Sequence, residues 1–149
     1  STLGEVLDAL AAHADPQRLR VDVPPALTTR PLALPLDELH GALGNLVDNA
    51  LTHGGDGPVQ ITAAPSTGAI TVSVTDHGPG ISANNRAKVF ERFFTTRRDR
   101  GGTGLGLPVV RAIARARGGD AWLEAPGPGG TTFALRLPVA GHPPVSAPA

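Results

Sequence analysis

Residues 36–53, LDELHGALGNLVDNALTH, decide the fold, because they carry the strongest helical pattern in the sequence. Apolar residues recur there every three or four positions, which places them on one face of a helix. This face consists of Leu36, Leu39, Leu43, Leu46 and Ala50. Two glycines at positions 54 and 55 follow as a stop signal. We therefore predict a helix from Leu36 to His53 whose apolar face packs against other elements.

Shorter patterns on both sides of this helix predict the remaining elements. Helical spacing predicts further helices over residues 2–14, 83–91 and 107–117. Alternating or β-branched runs predict strands over residues 19–23, around 32–34, and over 59–63, 70–74, 121–124 and 131–137. Turn residues at 65–68 and 126–130 predict two antiparallel hairpins. The expected fold class is α+β, a two-layer α/β sandwich with a mixed, mostly antiparallel sheet of about five strands and three main helices on one face.

The composition is that of an ordinary globular domain. The chain has 149 residues, 40% of them hydrophobic and 17% charged, which is enough for one hydrophobic core. Lys plus Arg and Asp plus Glu both number 13, so we expect no nucleic-acid partner and no direct membrane contact. The sequence contains no cysteine and no apolar run long enough to span a bilayer. We expect one domain over residues 1–137 and a Pro/Ala-rich disordered tail over 138–149.

Two amides lie on the polar side of the central helix. Asn45 and Asn49 are four residues apart, hence about 40° apart around the helix axis. Amide oxygens of this kind can ligate a hard cation such as Mg²⁺, which prefers oxygen ligands. The alternative is an ordinary solvated helix face, and on this helix alone that alternative is favoured.

A second motif, DHGPGI, follows directly after a predicted strand at residues 76–81. The Asp76 carboxylate can accept a hydrogen bond from an exocyclic amino group such as that of adenine. Gly78 and Gly80 allow the backbone to approach a flat ring closely. The alternative is a tight turn, because Asp and Gly are common turn residues.

A third motif, GTGLGL at residues 102–107, leads into a predicted helix. Closely spaced glycines before a helix N-terminus expose backbone N–H groups to an anion, and the helix dipole favours negative charge there. The alternative is a generic flexible loop. Before it, the segment 89–98, VFERFFTTRR, combines phenylalanines with Arg97 and Arg98. The phenylalanines could pin one end of a mobile lid whose arginines close on phosphate. The alternative is three core phenylalanines and a solvated basic turn.

Taken together, the motifs resemble a known family. Asn45-x-x-x-Asn49, Asp76-x-Gly78-x-Gly80, the phenylalanines of FERF at residues 90–93 and the glycines of GTGLG at 102–106 follow the order and spacing of the N, G1, F and G2 boxes. These boxes are typical of the histidine kinase branch of the gyrase, Hsp90, histidine kinase and MutL ATPase superfamily, which has the Bergerat fold. The resemblance extends from about residue 3 to residue 137.

The resemblance implies a role for each matching residue. It makes Asn49 the Mg²⁺ ligand, and it assigns catalytic positions to Asn45, Asn49 and Arg97. Asp76 would bind the adenine amino group with help from Thr131. The full set of implied ATP contacts is Asn45, Asn49, His53, Asp76, Gly78, Gly80, Ile81, Arg97, Gly102, Thr103, Gly104, Leu105, Gly106, Leu107 and Thr131.

The resemblance also implies an activity, with ATP and Mg²⁺ as cofactors. The chain would donate the γ-phosphate of ATP to a histidine on a separate dimerisation domain, which would pass it to a response regulator. None of the five histidines here has the family's phosphoacceptor context, so the chain alone is expected to bind ATP without phosphorylating itself. The expected location is the cytoplasmic part of a membrane-bound sensor kinase.

Some positions depart from the family pattern and keep alternatives open. Thr52 replaces a usual cation, His53 replaces a usual aromatic that stacks on adenine, Pro108 removes a backbone donor, and the lid is short. These departures leave open a degenerate nucleotide-binding regulator without kinase activity. An anti-sigma-type serine-protein kinase is disfavoured, because such kinases resemble the hydrolysing ATPases in having a Glu base where Asn45 stands, and an amide cannot take a proton. A purely structural domain leaves the ordered motifs unexplained.

Overall fold

The structure is a computed structural model that describes residues 1–13, 15, 17–53, 57–77, 106–125 and 130–140. Within these residues we number the helices and strands in chain order. They are α1 (Leu3–His13), β1 (Leu19–Asp22), α2 (Pro25–Thr28), α3 (Leu36–His53), β2 (Val59–Ser66), β3 (Ala69–Asp76), α4 (Gly106–Ala116), β4 (Asp120–Ala125) and β5 (Thr131–Pro138).

The strands form one mixed sheet in the order β1-β2-β3-β5-β4. β1 runs parallel to β2, because the connection through α2 and α3 returns the chain to the same end of the sheet. The other three neighbouring pairs are antiparallel. β3 and β5 lie side by side in the sheet, although α4 and β4 separate them in the sequence. The end of β3 and the start of β5 therefore lie side by side at one end of the central strands.

One face of the sheet carries the hydrophobic core. The buried residues of β3 alternate with half-buried ones, so Ile70, Val72 and Val74 point to one side. On α3 the buried residues recur at helical spacing and include Leu39, Leu43 and Leu46, each fully buried. α3 packs on β2 and β3, and α4 packs on α3 and β4. The predicted fold class, an α+β sandwich with a mixed five-stranded sheet, is confirmed.

The ends of α3 and α4 follow from local sequence. The bounds of α3 are those predicted, although its first apolar residue, Leu36, is 43% exposed rather than buried. α4 ends before Gly118, whose φ of +88° is a left-handed conformation that favours glycine. The Gly119 N–H then donates to the Ala114 carbonyl at 2.8 Å, which satisfies a carbonyl at the end of the helix.

Three expectations need correction. Residues 25–28 form the short helix α2, which the proline pattern did not predict; Pro25 occupies its first turn, where a missing N–H is harmless. Residues 32–34 form no strand, since Leu32 makes only an isolated bridge to Val139. The chain stays folded past residue 137: β5 includes Pro138, and Val139 is buried. Residues 138–140 therefore belong to the folded domain rather than to a tail, and residues 141–149 lie outside the described part.

Two further points concern segments and membranes. The short helix predicted over residues 83–91 lies outside the described residues. Within the described ranges, each helix is too short or too polar to cross a membrane.

Candidate functional site

Two polar side chains are buried together where β3 ends and β5 begins, at one end of these central strands. Among the described residues, Asp76 and Thr131 are the polar side chains that are buried, at 6% and 5% exposure. They are direct partners in the β3–β5 register, so they lie next to each other on the same face as Val74 and Phe133. Carboxylates are seldom buried to this degree. The pair therefore presents a carboxylate and a hydroxyl on the face of the sheet that the helices cover, where β3 ends.

The backbone beside this pair is tightly packed. A methyl group added at Gly130 would overlap the carbonyl oxygen of Asp76 and would lie 3.5 Å from the Cα atom of His77. On the opposite face, the hydroxyls of Thr75 and Thr132 are hydrogen-bonded at 3.0 Å. The register that pairs Asp76 with Thr131 is thus held by one close backbone approach and by one side-chain bond.

The two amides lie on α3 at the border between core and solvent. Asn45 and Asn49 are both half-buried, whereas Asp48 and Thr52 are exposed. The Asn45 side-chain nitrogen donates to the Gly41 carbonyl at 2.5 Å, one turn earlier on the helix. This bond fixes the orientation of the amide and leaves one N–H and the amide oxygen for another group.

Contacts between α3 and α4 show that the two helices are antiparallel. Glu38, near the start of α3, binds Arg117 just after α4, and a methyl group at Gly41 would lie 3.5 Å from Ile113. Each step forward on α3 is therefore a step back on α4. Because both helices rise by about 1.5 Å per residue, Asn49 lies level with the start of α4 at Gly106.

The start of α4 suits an anion. Its first turn carries no acidic side chain, and the N-terminal N–H groups of a helix have no partner within the helix. Pro108 falls in this first turn, where the missing N–H costs little. Leu107 is half-buried beside it. The N–H groups at the start of α4, where the helix dipole is positive, thus lie at the same height along the helices as Asn49.

The described residues fit a magnesium ion held mainly by a ligand rather than by the protein. They contain no group of three or more His, Cys, Asp or Glu side chains that could form a metal cage. Mg²⁺ bound with substrate phosphates usually keeps several waters and takes only one or two protein oxygens. The amide oxygen of Asn49 could supply one such oxygen.

The structure brings together only part of the predicted site. Asn45, Asn49, Asp76, Gly106, Leu107 and Thr131 are described and lie around the α3–α4 ends and the β3–β5 edge. The predicted contacts outside the described residues are Gly78, Gly80, Ile81, Arg97, Gly102, Thr103, Gly104 and Leu105, and for His53 only the backbone is described.

Sequence reasoning did not identify three residues that shape the site. Gly41 lies one turn before Asn45 and accepts its amide bond. Glu38 and Arg117 set the relative position of α3 and α4. The only sequence signal for Gly41 was its spacing from Asn45, and an ion pair between residues 79 positions apart had none.

Comparisons with known proteins agree with this geometry. The sequence matches the family described as "Histidine kinase-, DNA gyrase B-, and HSP90-like ATPase" over residues 36–141. This match covers most of the chain, and the chain belongs to that family. The resemblance inferred from the four boxes is therefore confirmed.

Individual relatives place the chain within the histidine kinases. The probable sensor histidine kinase TcrY of Mycobacterium tuberculosis is 40% identical over 148 residues, which are 94% of this chain and 30% of TcrY. The structure of full-length ShkA in complex with AMPPNP superposes with a TM-score of 0.78 and 27% identity, over 93% of this chain and 30% of ShkA. The ATP-binding domain of PrrB from Mycobacterium tuberculosis gives 0.69 and 34%, over 93% of this chain and 95% of that domain. The chain thus spans under a third of the full-length relatives and nearly all of an isolated ATP-binding domain.

Proposed function

We propose that this chain binds Mg-ATP and donates the γ-phosphate to a histidine on a separate dimerisation domain, as the catalytic part of a sensor histidine kinase. The observation that carries the proposal is the antiparallel packing of α3 on α4. In this packing Asn49 lies level with the N-terminus of α4, which supports a site where a metal ligand and anion-binding N–H groups act on the same phosphates. Asp76 and Thr131 supply a recognition site for a base at the neighbouring sheet edge.

The chain's residues would act by binding and orienting the nucleotide. The Asp76 carboxylate accepts a hydrogen bond from the adenine amino group, and the Thr131 hydroxyl lies beside it to help. The N–H groups at the start of α4 donate to phosphate oxygens, and Asn45 donates from its remaining amide N–H. Arg97 and the backbone of residues 102–107 complete the phosphate contacts, while Gly78, Gly80 and Ile81 border the base and His53 stacks on it.

Phosphoryl transfer then needs little covalent chemistry from this chain. An imidazole nitrogen of the partner domain attacks the γ-phosphorus, the bond from phosphorus to the β–γ bridging oxygen breaks, and ADP leaves. Asn49 would hold Mg²⁺, which would supply charge neutralisation at the phosphate oxygens. Because Asn45 is a neutral amide, it cannot take a proton from water, which favours transfer to imidazole over hydrolysis.

The same proposal names partners and a location. The phosphoacceptor domain belongs to the same kinase, and a response regulator receives the phosphoryl group from it. We propose a cytoplasmic location for this domain. The relative TcrY, a probable sensor histidine kinase that is more than three times the length of the match, supports this setting.

One departure supports a second function. Thr52, where the family usually has a cation, is exposed on α3 in the turn after Asn49. Without that cation, phosphate binding would be weaker, which is the property expected of a regulator that binds nucleotide without transferring phosphate. The kinase proposal keeps precedence, since Asn49, Asp76 and Thr131 match the residues that the family pattern requires at these positions.

Thermal unfolding with and without nucleotide tests the proposal. ATP or ADP at about 100 times its dissociation constant, with Mg²⁺, should stabilise the chain by roughly 2.7 kcal/mol. For a domain of this size that is a rise in melting temperature of about 5–10 °C. We expect Asp76→Asn to abolish the rise, because it removes the negative charge and replaces one of the two acceptor oxygens by a donor.

The control is Asp22→Asn, which makes the same chemical change at an exposed position on β1 and should keep the full rise. GTP should give no rise with either protein. If millimolar Mg-ATP leaves the melting temperature of the unaltered chain unchanged, the kinase proposal fails. A rise of equal size in Asp76→Asn would show that the base binds elsewhere.

A further inference from the structure

Four strands have their ends side by side at the end of the sheet that carries Asp76. Leu19 of β1 pairs with Val59 of β2, and Asp76 of β3 pairs with Thr131 of β5. Val59 and Asp76 are the next pair beyond Gln60 and Thr75 in the β2–β3 register. Neighbouring strands lie about 4.8 Å apart, so Leu19 lies about 10 Å from Asp76 across the sheet. The residue just before this row on the edge strand is Arg18.

Arg18 is anchored at this edge by its backbone and by its side chain. Its carbonyl accepts a bond from the Val59 N–H at 2.7 Å. Its Nη2 atom donates to the Gly57 carbonyl at 3.4 Å, and its Nε atom is buried. The side chain therefore reaches from the edge strand to the connection between α3 and β2.

Gly57 in turn lies close to the residue that follows Asp76. A methyl group added at Gly57 would lie 3.7 Å from the Cβ atom of His77. The connection that contains Gly57 begins at His53, at the end of the helix that carries Asn49. Arg18 thus contacts Gly57. The chain before Gly57 leads back to the helix that carries the amides, and Gly57 itself borders the end of β3.

We infer that Arg18 is a positioning residue for the base end of the nucleotide site. This inference rests on the proposed function. By holding the Gly57 carbonyl, the guanidinium keeps Gly57 close to His77, which fixes the end of β3 where Asp76 meets the base. In this proposal Arg18 acts through Gly57 rather than by contact with the nucleotide. Its contribution is to the geometry of the base contact and not to the phosphate contacts.

The test compares two arginines of the same strand region by titration calorimetry with Mg-ADP and Mg-GDP. Arg18→Met keeps the apolar length of the side chain and removes its donors. We expect it to weaken ADP binding about fivefold, an effect of the size of one typical hydrogen bond. The preference for ADP over GDP should fall by a similar factor. Arg20→Met, at an exposed position two residues along, should change neither quantity.

Two further measurements separate positioning from folding. Urea unfolding without nucleotide reports whether Arg18→Met loses stability. Arg18→Lys, whose ammonium can still donate to a carbonyl, should recover part of the ADP preference. A general loss of stability would weaken ADP and GDP equally, and that result would overturn the inference.

The outcomes also distinguish this inference from the function on which it rests. If the unaltered chain binds neither nucleotide, the proposed function fails and the inference fails with it. If the unaltered chain binds ADP and Arg18→Met binds it equally well with unchanged preference, only the inference is overturned.

Discussion

Single residues differ sharply in how much room the fold leaves them, and two glycines show the contrast. Gly130 lies where an added methyl group would overlap the Asp76 carbonyl oxygen. Gly44 lies within α3, where an added methyl group would make ordinary contacts with His40 at 3.6 Å and Leu10 at 3.7 Å. The first glycine is required by a close approach of two backbones, whereas the second is replaceable.

We therefore expect opposite effects from the same substitution at these glycines. Gly130→Ala must move β5 away from Asp76, and should lower the free energy of unfolding by about 1–3 kcal/mol and weaken ATP binding. Gly44→Ala should raise the free energy of unfolding by up to about 1 kcal/mol, because alanine is a better helix former. Urea unfolding and ATP titration of both variants measure this. Equal stability of Gly130→Ala and the unaltered chain would contradict the close approach.

At the scale of helices and strands, the relative position of α3 and α4 matters most to the site. Arg117 binds Glu38 through two parallel bonds, Nε to Oε1 at 2.9 Å and Nη2 to Oε2 at 2.6 Å. The hydrogen bond from Arg117 lowers the pKa of Glu38 below its ordinary value of 4.5. Bidentate pairs of this kind have a defined geometry. The pair therefore sets how α3 and α4 lie at the end opposite to Asn49.

The lowered pKa predicts how this contribution depends on pH. A carboxylate with a depressed pKa in the folded state stabilises the fold above its unfolded pKa, and the effect is lost as pH falls through the folded pKa. Glu38→Gln should therefore be less stable than the unaltered chain at neutral pH, and the difference should vanish in acid below pH 4.5. Added salt should reduce it, because the pair is exposed. Urea unfolding across this pH range measures the difference.

The control for this prediction is Glu124→Gln, at an exposed position on β4. Its stability difference from the unaltered chain should not follow the same pH profile. A Glu38→Gln difference that persists in acid would mean that the carboxylate is not the group responsible.

The same elements show what the sequence could and could not predict. The bounds of α3 were predicted because its apolar residues repeat over the whole helix. The presence of the strand β3, though not its full length, was predicted because its residues alternate. The strand β5 was predicted one residue too short, since the sequence does not reveal that Pro138 would pair with Ala69. The four boxes identified the candidate site, but the antiparallel packing of α3 and α4 depends on contacts between distant residues that have no pattern in the sequence.

For the molecule as a whole, the proposal predicts binding without self-transfer. Incubated with ATP labelled at the γ-phosphate, the chain alone should acquire no acid-labile phosphoryl group on any of its five histidines. The physical reason is that positioning is the main source of catalysis here, and none of these histidines is part of a partner helix. Calorimetry on the same sample should show that ATP is bound. A labelled histidine in the isolated chain would contradict the division between the two domains.

The placement of β3 beside β5 has a consequence for how the chain folds and how it can vary. The residues between β3 and α4 join two halves of the sheet that pair directly with each other. The entropy lost on closing such a loop grows only with the logarithm of its length, about 0.6 kcal/mol for each doubling. Insertions or deletions between residues 77 and 106 should therefore alter nucleotide contacts while the sheet keeps nearly all of its stability. The length of this connection is thus nearly independent of the stability of the sheet and can be set by the nucleotide site that we propose.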